Sequence, residues 1–68
     1  MKSVSGKRLA QLAVQKGWAL RRVNGSHHVF IKDGRDERLV IPIHGNKSLK
    51  PGLQRALMKV IPVSDEEL

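Results

Sequence analysis

Three histidines are the side chains in this sequence best suited to acid–base chemistry. His27 and His28 follow Asn24-Gly25-Ser26, and His44 comes directly after an apolar segment. Histidine titrates near neutral pH, so it can take a proton from a ribose 2′-hydroxyl and return one to a leaving 5′-oxygen. Neighbouring Lys or Arg side chains would stabilise the extra negative charge on phosphorus. These groups suit a metal-free ribonuclease, although ordinary surface histidines fit the same residue types.

Several other kinds of site are disfavoured by the residues present. The chain has no cysteine, so neither a disulfide nor a thiolate zinc site can form. Three of its six acidic residues lie at positions 65–67, whereas a two-metal nuclease needs several convergent carboxylates. Adjacent residues of a strand point to opposite faces, which makes His27 and His28 poor joint ligands. We therefore expect no metal site and no small-molecule cofactor.

The charge balance points to a polyanionic partner. Thirteen Lys and Arg residues oppose six Asp and Glu residues, which gives a formal net charge of +7 on 68 residues. Such an excess on a small chain is typical of nucleic-acid binding, and solubility is the alternative explanation. Trp18 and Phe30 are the only aromatic residues, so the chain offers few side chains on which the bases of a single strand could stack. Lys47 and Lys50 precede a helix that begins near Pro51, where free N–H groups favour a phosphate.

Five elements are predicted to position these residues. Apolar spacing predicts helices over residues 6–16 and from Pro51 to the stop at Pro62, and Ser64 to Glu67 resemble the start of a further helix. Period-two alternation predicts strands over residues 18–23, 27–32 and 38–43. Turns are expected at Asn24-Gly25 and Asp33-Gly34, and Pro42 places the third strand at a sheet edge or leaving the sheet.

The order α-β-β-β-α predicts an α+β fold in one domain over residues 1–68. Its three-stranded antiparallel sheet should carry both helices on one face and leave the other face open and basic. Strict alternation would turn either Arg21 or Arg22 toward the helices or their rim. The face occupied by His27 stays undecided, because a bulge next to Gly25 would reverse it.

Two segments of the chain resemble the HicA toxins, the bacterial mRNA interferases of HicA–HicB toxin–antitoxin pairs. The first comprises Ser5-Gly6-Lys7, Gly17-Trp18 and Gly25-Ser26-His27-His28. The second runs from Ile41-Pro42-Ile43-His44-Gly45-Asn46-Lys47 through Leu49-Lys50-Pro51-Gly52-Leu53. Together they place the resemblance over most of the chain, from Ser5 to about Ser64. The chain departs from the common pattern at Pro62, where relatives often have Gly, and this affects only the expected geometry of the chain end.

The resemblance implies a double-stranded-RNA-binding-domain-like fold, cleavage of mRNA and inhibition by a HicB-type antitoxin. It also implies that His27, the histidine of Gly-Ser-His, is catalytic. The expected RNA or phosphate contacts, taken from the resemblance and from the residue types together, are Gly25, Ser26, His28, His44, Lys47 and Lys50.

Apolar runs too short to span a bilayer and the lack of a signal-peptide pattern predict a cytoplasmic protein with no membrane partner. Two other functions fit the same residues. A non-catalytic RNA-binding module would bind RNA without cleaving it, and a protein-interaction module would bind an acidic protein.

Overall fold

The predicted order α-β-β-β-α is confirmed by the computed structural model, which describes all 68 residues. The elements are α1 (Gly6–Gln15), β1 (Ala19–Asn24), β2 (His27–Ile31), β3 (Leu39–Pro42) and α2 (Pro51–Val60), followed by a short 3₁₀ helix (Asp65–Glu67). The strands form one antiparallel sheet in the order β1-β2-β3, so that β2 is central. Pro42 is the last residue of the edge strand β3, where its missing N–H leaves no gap in the sheet.

The ends of α1 follow from its flanking residues. The Ser5 hydroxyl accepts a hydrogen bond from the Arg8 N–H at 3.1 Å and so caps the first turn. At the other end, Gly17 takes a φ of 98°, the left-handed conformation that stops a helix. The helix ends at Gln15, one residue before the predicted end, because Lys16 is its C-cap.

Both helices pack on one face of the sheet, as predicted. On that face Phe30 of β2 lies opposite Leu39 of β3, and both side chains are buried. They join one apolar cluster with α1 and α2 residues, including Leu9 and Leu57. Burial of this cluster supplies the main driving force for folding.

The chain ends are tied to the helices by polar contacts. The fully buried Gln54 side chain accepts from the Val4 N–H at 3.1 Å and donates to the Lys2 carbonyl at 2.6 Å. Near the other end, where the sequence predicts the cap and first turn of a further helix, Ser64 caps a single 3₁₀ turn, and Glu67 of that turn pairs with Lys16. Both ends therefore pack against the helical layer and leave the opposite sheet face uncovered.

Candidate functional site

His27 lies on the open face of the sheet, which settles the orientation that the sequence left undecided. It is the first residue of β2 and is exposed. Asn24 of β1 and Pro42 of β3 lie directly opposite it on either side. Since Phe30 faces the helices, alternation puts His27 and Val29 on the other face. The imidazole is therefore accessible to a large ligand.

The turn before His27 is held by hydrogen bonds to one carbonyl group. Gly25 and Ser26 are the two turn residues, and Gly25 alone has a positive φ, 61°. The turn is thus one residue later than the predicted Asn24-Gly25, with the glycine at the first central position as in type II′ turns. The Ser26 carbonyl accepts from the Ile43 N–H at 2.8 Å and lies 3.2 Å from His28 Nδ1. These contacts hold the backbone in place immediately before His27.

His28 is separated from His27 by the pleat of β2. It lies opposite the fully buried Ile41 and is itself half-buried at the rim of the helix-covered face. Its ring nitrogen Nδ1 is engaged with the Ser26 carbonyl. The arrangement supports a role for His28 in holding the turn, and its expected contact with RNA stays a prediction.

The remaining sequence-predicted residues surround a cleft beside the end of β3. His44, Lys47 and Lys50 line this cleft of about 390 Å³ together with Pro42 and Leu53. All three polar side chains are exposed. Because Pro42 lies opposite His27 and also lines the cleft, the structure brings His27 and these residues to the same end of the sheet.

The first turn of α2 faces this region with unused donors. Lys50 is the N-cap but its side chain makes no capping hydrogen bond, and Pro51 has no N–H. The backbone N–H groups of Gly52 and Leu53 donate to no other backbone group, whereas Gln54 N–H already bonds to the Lys50 carbonyl at 2.9 Å. Free N–H groups at a helix start, next to lysines, are suited to a phosphate.

A second basic feature lies on the open face, which the sequence predicts to be basic without predicting this group of arginines. The pairing of β1 with β2 shifts between Leu20 and Arg22, which leaves Arg21 as the extra residue of a β-bulge. Arg21 and Arg22 consequently line the same depression of about 180 Å³, together with Arg38. The expectation that one of the two consecutive arginines would point toward the helices or their rim is therefore wrong. We call Arg21, Arg22 and Arg38 the arginine cluster.

The acidic side chains leave both basic features uncompensated. The chain contains two ion pairs, Lys16 with Glu67 and Arg35 with Glu37. The Lys16 ammonium, helped by the Ser64 N–H, lowers the pKa of Glu67 to about 2. The hydrogen bond from Arg35 likewise lowers the pKa of Glu37. Neither the arginine cluster nor the cleft lysines has an acidic partner, so their positive charge is available to a ligand.

The structure contains no group of three or more His, Cys, Asp or Glu side chains arranged to hold a metal ion. None of its helices has the length and apolar character needed to cross a membrane.

Comparison with known proteins gives the family. No curated protein matches the chain. The family model described as the HicA toxin of bacterial toxin–antitoxin systems matches residues 6–62, which run from the start of α1 to Pro62 beyond α2. The match includes His27, the cleft residues and the arginine cluster. With most of its length matched, the chain belongs to the HicA toxin family.

Proposed function

We propose that this protein is a toxin endoribonuclease that cleaves mRNA in the cytoplasm and uses His27 as its catalytic residue. The observation that carries the proposal is the position of His27, which is exposed on the open sheet face and lies opposite Pro42, a residue of the lysine-lined cleft. An imidazole beside a basic surface supplies both the proton transfer and the charge stabilisation that RNA cleavage needs. Membership of the HicA toxin family supports the same conclusion.

The proposed reaction is a transesterification within the RNA. His27 takes the proton from a ribose 2′-hydroxyl as that oxygen attacks the adjacent phosphorus and the bond to the 5′-oxygen breaks. The imidazolium then gives its proton to the leaving 5′-oxygen. The products are a 2′,3′-cyclic phosphate and a 5′-hydroxyl end. Histidine suits both steps because its ordinary pKa lies near neutral pH.

The scissile phosphate or its neighbour would be held by the cleft. Lys47, Lys50 and His44 provide side-chain donors there, and the free N–H groups at the start of α2 add backbone donors. Gly25 and Ser26 would approach the RNA backbone at the turn that precedes His27. His28 would act indirectly, by holding the Ser26 carbonyl.

A HicB-type antitoxin is the proposed inhibitor. The exposed basic surface around His27 favours a partner that is acidic where it makes contact, since complementary charge steers association and excludes RNA at the same time. If that contact is mainly electrostatic, the complex should loosen as salt is raised. A complex insensitive to salt would instead indicate a mainly apolar interface.

The first test is cleavage of an mRNA by wild-type protein and the His27→Ala variant, side by side in EDTA. We expect cleavage by the wild type alone, with 2′,3′-cyclic phosphate ends. The His44→Ala variant removes the exposed histidine that the proposal places in phosphate binding, so it should weaken cleavage without abolishing it. Equal cleavage by the wild type and His27→Ala would refute the assignment of His27. RNA binding without any cleavage would favour the non-catalytic RNA-binding module.

A further inference from the structure

The arginine cluster is assembled by the β-bulge in β1. Leu20 lies opposite Phe30 and Arg22 lies opposite Val29, so Arg21 is the additional residue between them. This irregularity turns two consecutive arginines to the face that carries Val29, where Arg38 joins them from the residue before β3. Bulges commonly redirect a side chain near a functional site.

The cluster concentrates positive charge without a partner on the protein. Neither of the two ion pairs involves any of its three arginines. Like charges held near each other raise the energy of the folded chain unless an anion is bound. The guanidinium group donates two parallel hydrogen bonds to one phosphate, which makes arginine better suited than lysine to hold a phosphate in a fixed orientation.

The cluster and the cleft both adjoin His27, the cluster along β2 and the cleft beside it on β3. Val29, in the depression, follows His27 by two residues on the same face, a distance of about 7 Å along the strand. Pro42, which lines the cleft, lies directly opposite His27. Basic groups therefore adjoin His27 in two directions, along β2 and across to β3.

We infer that the arginine cluster binds backbone phosphates of the RNA strand on the side of the cleaved bond away from the cleft. The inference rests on the proposed ribonuclease function and adds a second anchoring point to it. A chain with regularly spaced phosphates can contact both basic features at once. Binding at the two points would hold the strand across His27 and orient the 2′-hydroxyl for proton transfer.

A purely structural role of the arginines is the competing explanation. Val29 is 7% exposed although it belongs to the open face, so the aliphatic parts of the surrounding side chains cover it. That role needs only the aliphatic part of the side chain, whereas phosphate binding needs the charge and the planar guanidinium group. Substitution by Gln removes the charge, and substitution by Lys keeps the charge and the aliphatic part but loses the planar group.

The test measures binding of a single-stranded RNA oligonucleotide over a range of salt concentrations, in the uncleaving His27→Ala background. We expect Arg22→Gln and Arg38→Gln each to weaken binding and to reduce the slope of log affinity against log salt by about 0.7, the value for one phosphate contact with a single strand. Arg22→Lys should keep the slope and still bind more weakly than the parent protein. The control Arg55→Gln removes an equal charge from the exposed part of α2 and should leave the slope unchanged.

The outcomes separate this inference from the proposed function. Equal slopes for Arg22→Gln, Arg38→Gln and Arg55→Gln would overturn the inference, and His27-dependent cleavage would then leave the ribonuclease assignment standing. Reduced slopes for the cluster variants without cleavage by the wild type would keep the RNA-binding site and refute the ribonuclease. The same titration with poly-L-glutamate tests an acidic protein as the ligand. If the cluster variants bound that polymer more weakly but bound RNA as well as the parent protein does, the inference would also be overturned. Circular dichroism and the Arg22→Lys variant show whether a Gln variant has merely lost its fold.

Discussion

Replacing Gly6 by alanine should destabilise the protein and disturb His27, although alanine normally favours a helix. Gly6 is the first residue of α1 and is buried against the end of β3. A Cβ atom at this position would lie 2.0 Å from the Pro42 carbonyl oxygen and 3.3 Å from Ile43 Cγ1. Since real Cβ atoms essentially never come closer than 3.0 Å, the backbone of β3 or the start of α1 must move by about 1 Å.

The expected loss is the balance of two opposing effects. Overpacking a tight site costs roughly 1–3 kcal/mol, and the upper end applies here because the obstructing atom belongs to the backbone. The higher helix propensity of alanine returns up to about 1 kcal/mol. The free energy of unfolding should thus fall by about 2 kcal/mol, which is around half of the roughly 3–5 kcal/mol that a core of this size provides.

Urea denaturation of Gly6→Ala and of Gly52→Ala, followed by circular dichroism, checks this magnitude. Gly52 is the second residue of α2, and an added Cβ there meets no atom within 4 Å, so Gly52→Ala should be as stable as the wild type or slightly more stable. RNA cleavage by the folded fraction of Gly6→Ala should also drop, by up to about 100-fold, because a 1 Å displacement at a reacting group has that effect. Equal stability of the two variants would refute the reasoning from the Pro42 contact.

Two further predictions concern the polar contacts that tie the chain ends to the helices. Gln54→Leu should lose about 1–3 kcal/mol of stability, because it leaves the Val4 N–H without its partner; urea denaturation should show no such loss for the exposed Gln15→Leu control. Lys16 and Ser64 lower the pKa of Glu67 from 4.5 to about 2. This carboxylate therefore stabilises the fold above pH 4.5 and loses that effect as the pH falls toward 2. The Tm of Glu67→Gln should accordingly lie below that of the wild type at pH 6 and meet it near pH 2, and a difference that persists at pH 2 would contradict the ion-pair explanation.

The elements could be predicted from the sequence where a local cause determines them. Ser5 begins α1 and Gly17 ends it, and Pro51 begins α2, so these three helix ends follow from local chemistry. The layer arrangement also follows, since one apolar face of a three-stranded sheet needs both helices to cover it. The third strand is shorter than predicted because β3 begins only where Leu39 pairs with Phe30.

Pairings between strands could not be predicted in the same way. The accessibility of His27 depends on which face it occupies, and that face is set by the pairing of Phe30 with Leu39 and by the burial of Ile41. The family resemblance implies that His27 is catalytic but does not show which residues surround it. The arginine cluster escaped prediction because alternation assigns consecutive residues to opposite faces, and the bulge breaks that alternation at Arg21.

The bulge is nevertheless a consequence of the sequence once the turn is placed correctly. With Gly25 and Ser26 as the two turn residues, four residues separate Leu20 from the turn and only three separate Phe30 from it. Leu20 and Phe30 can lie opposite each other only if β1 accommodates one extra residue, and the pairing shows it at Arg21. A regular ladder from this turn would instead have put Arg21 opposite Phe30 on the helix-covered face, the place that Leu20 takes in the bulged strand. Keeping the apolar pair together therefore directs both arginines to the open face that also carries His27.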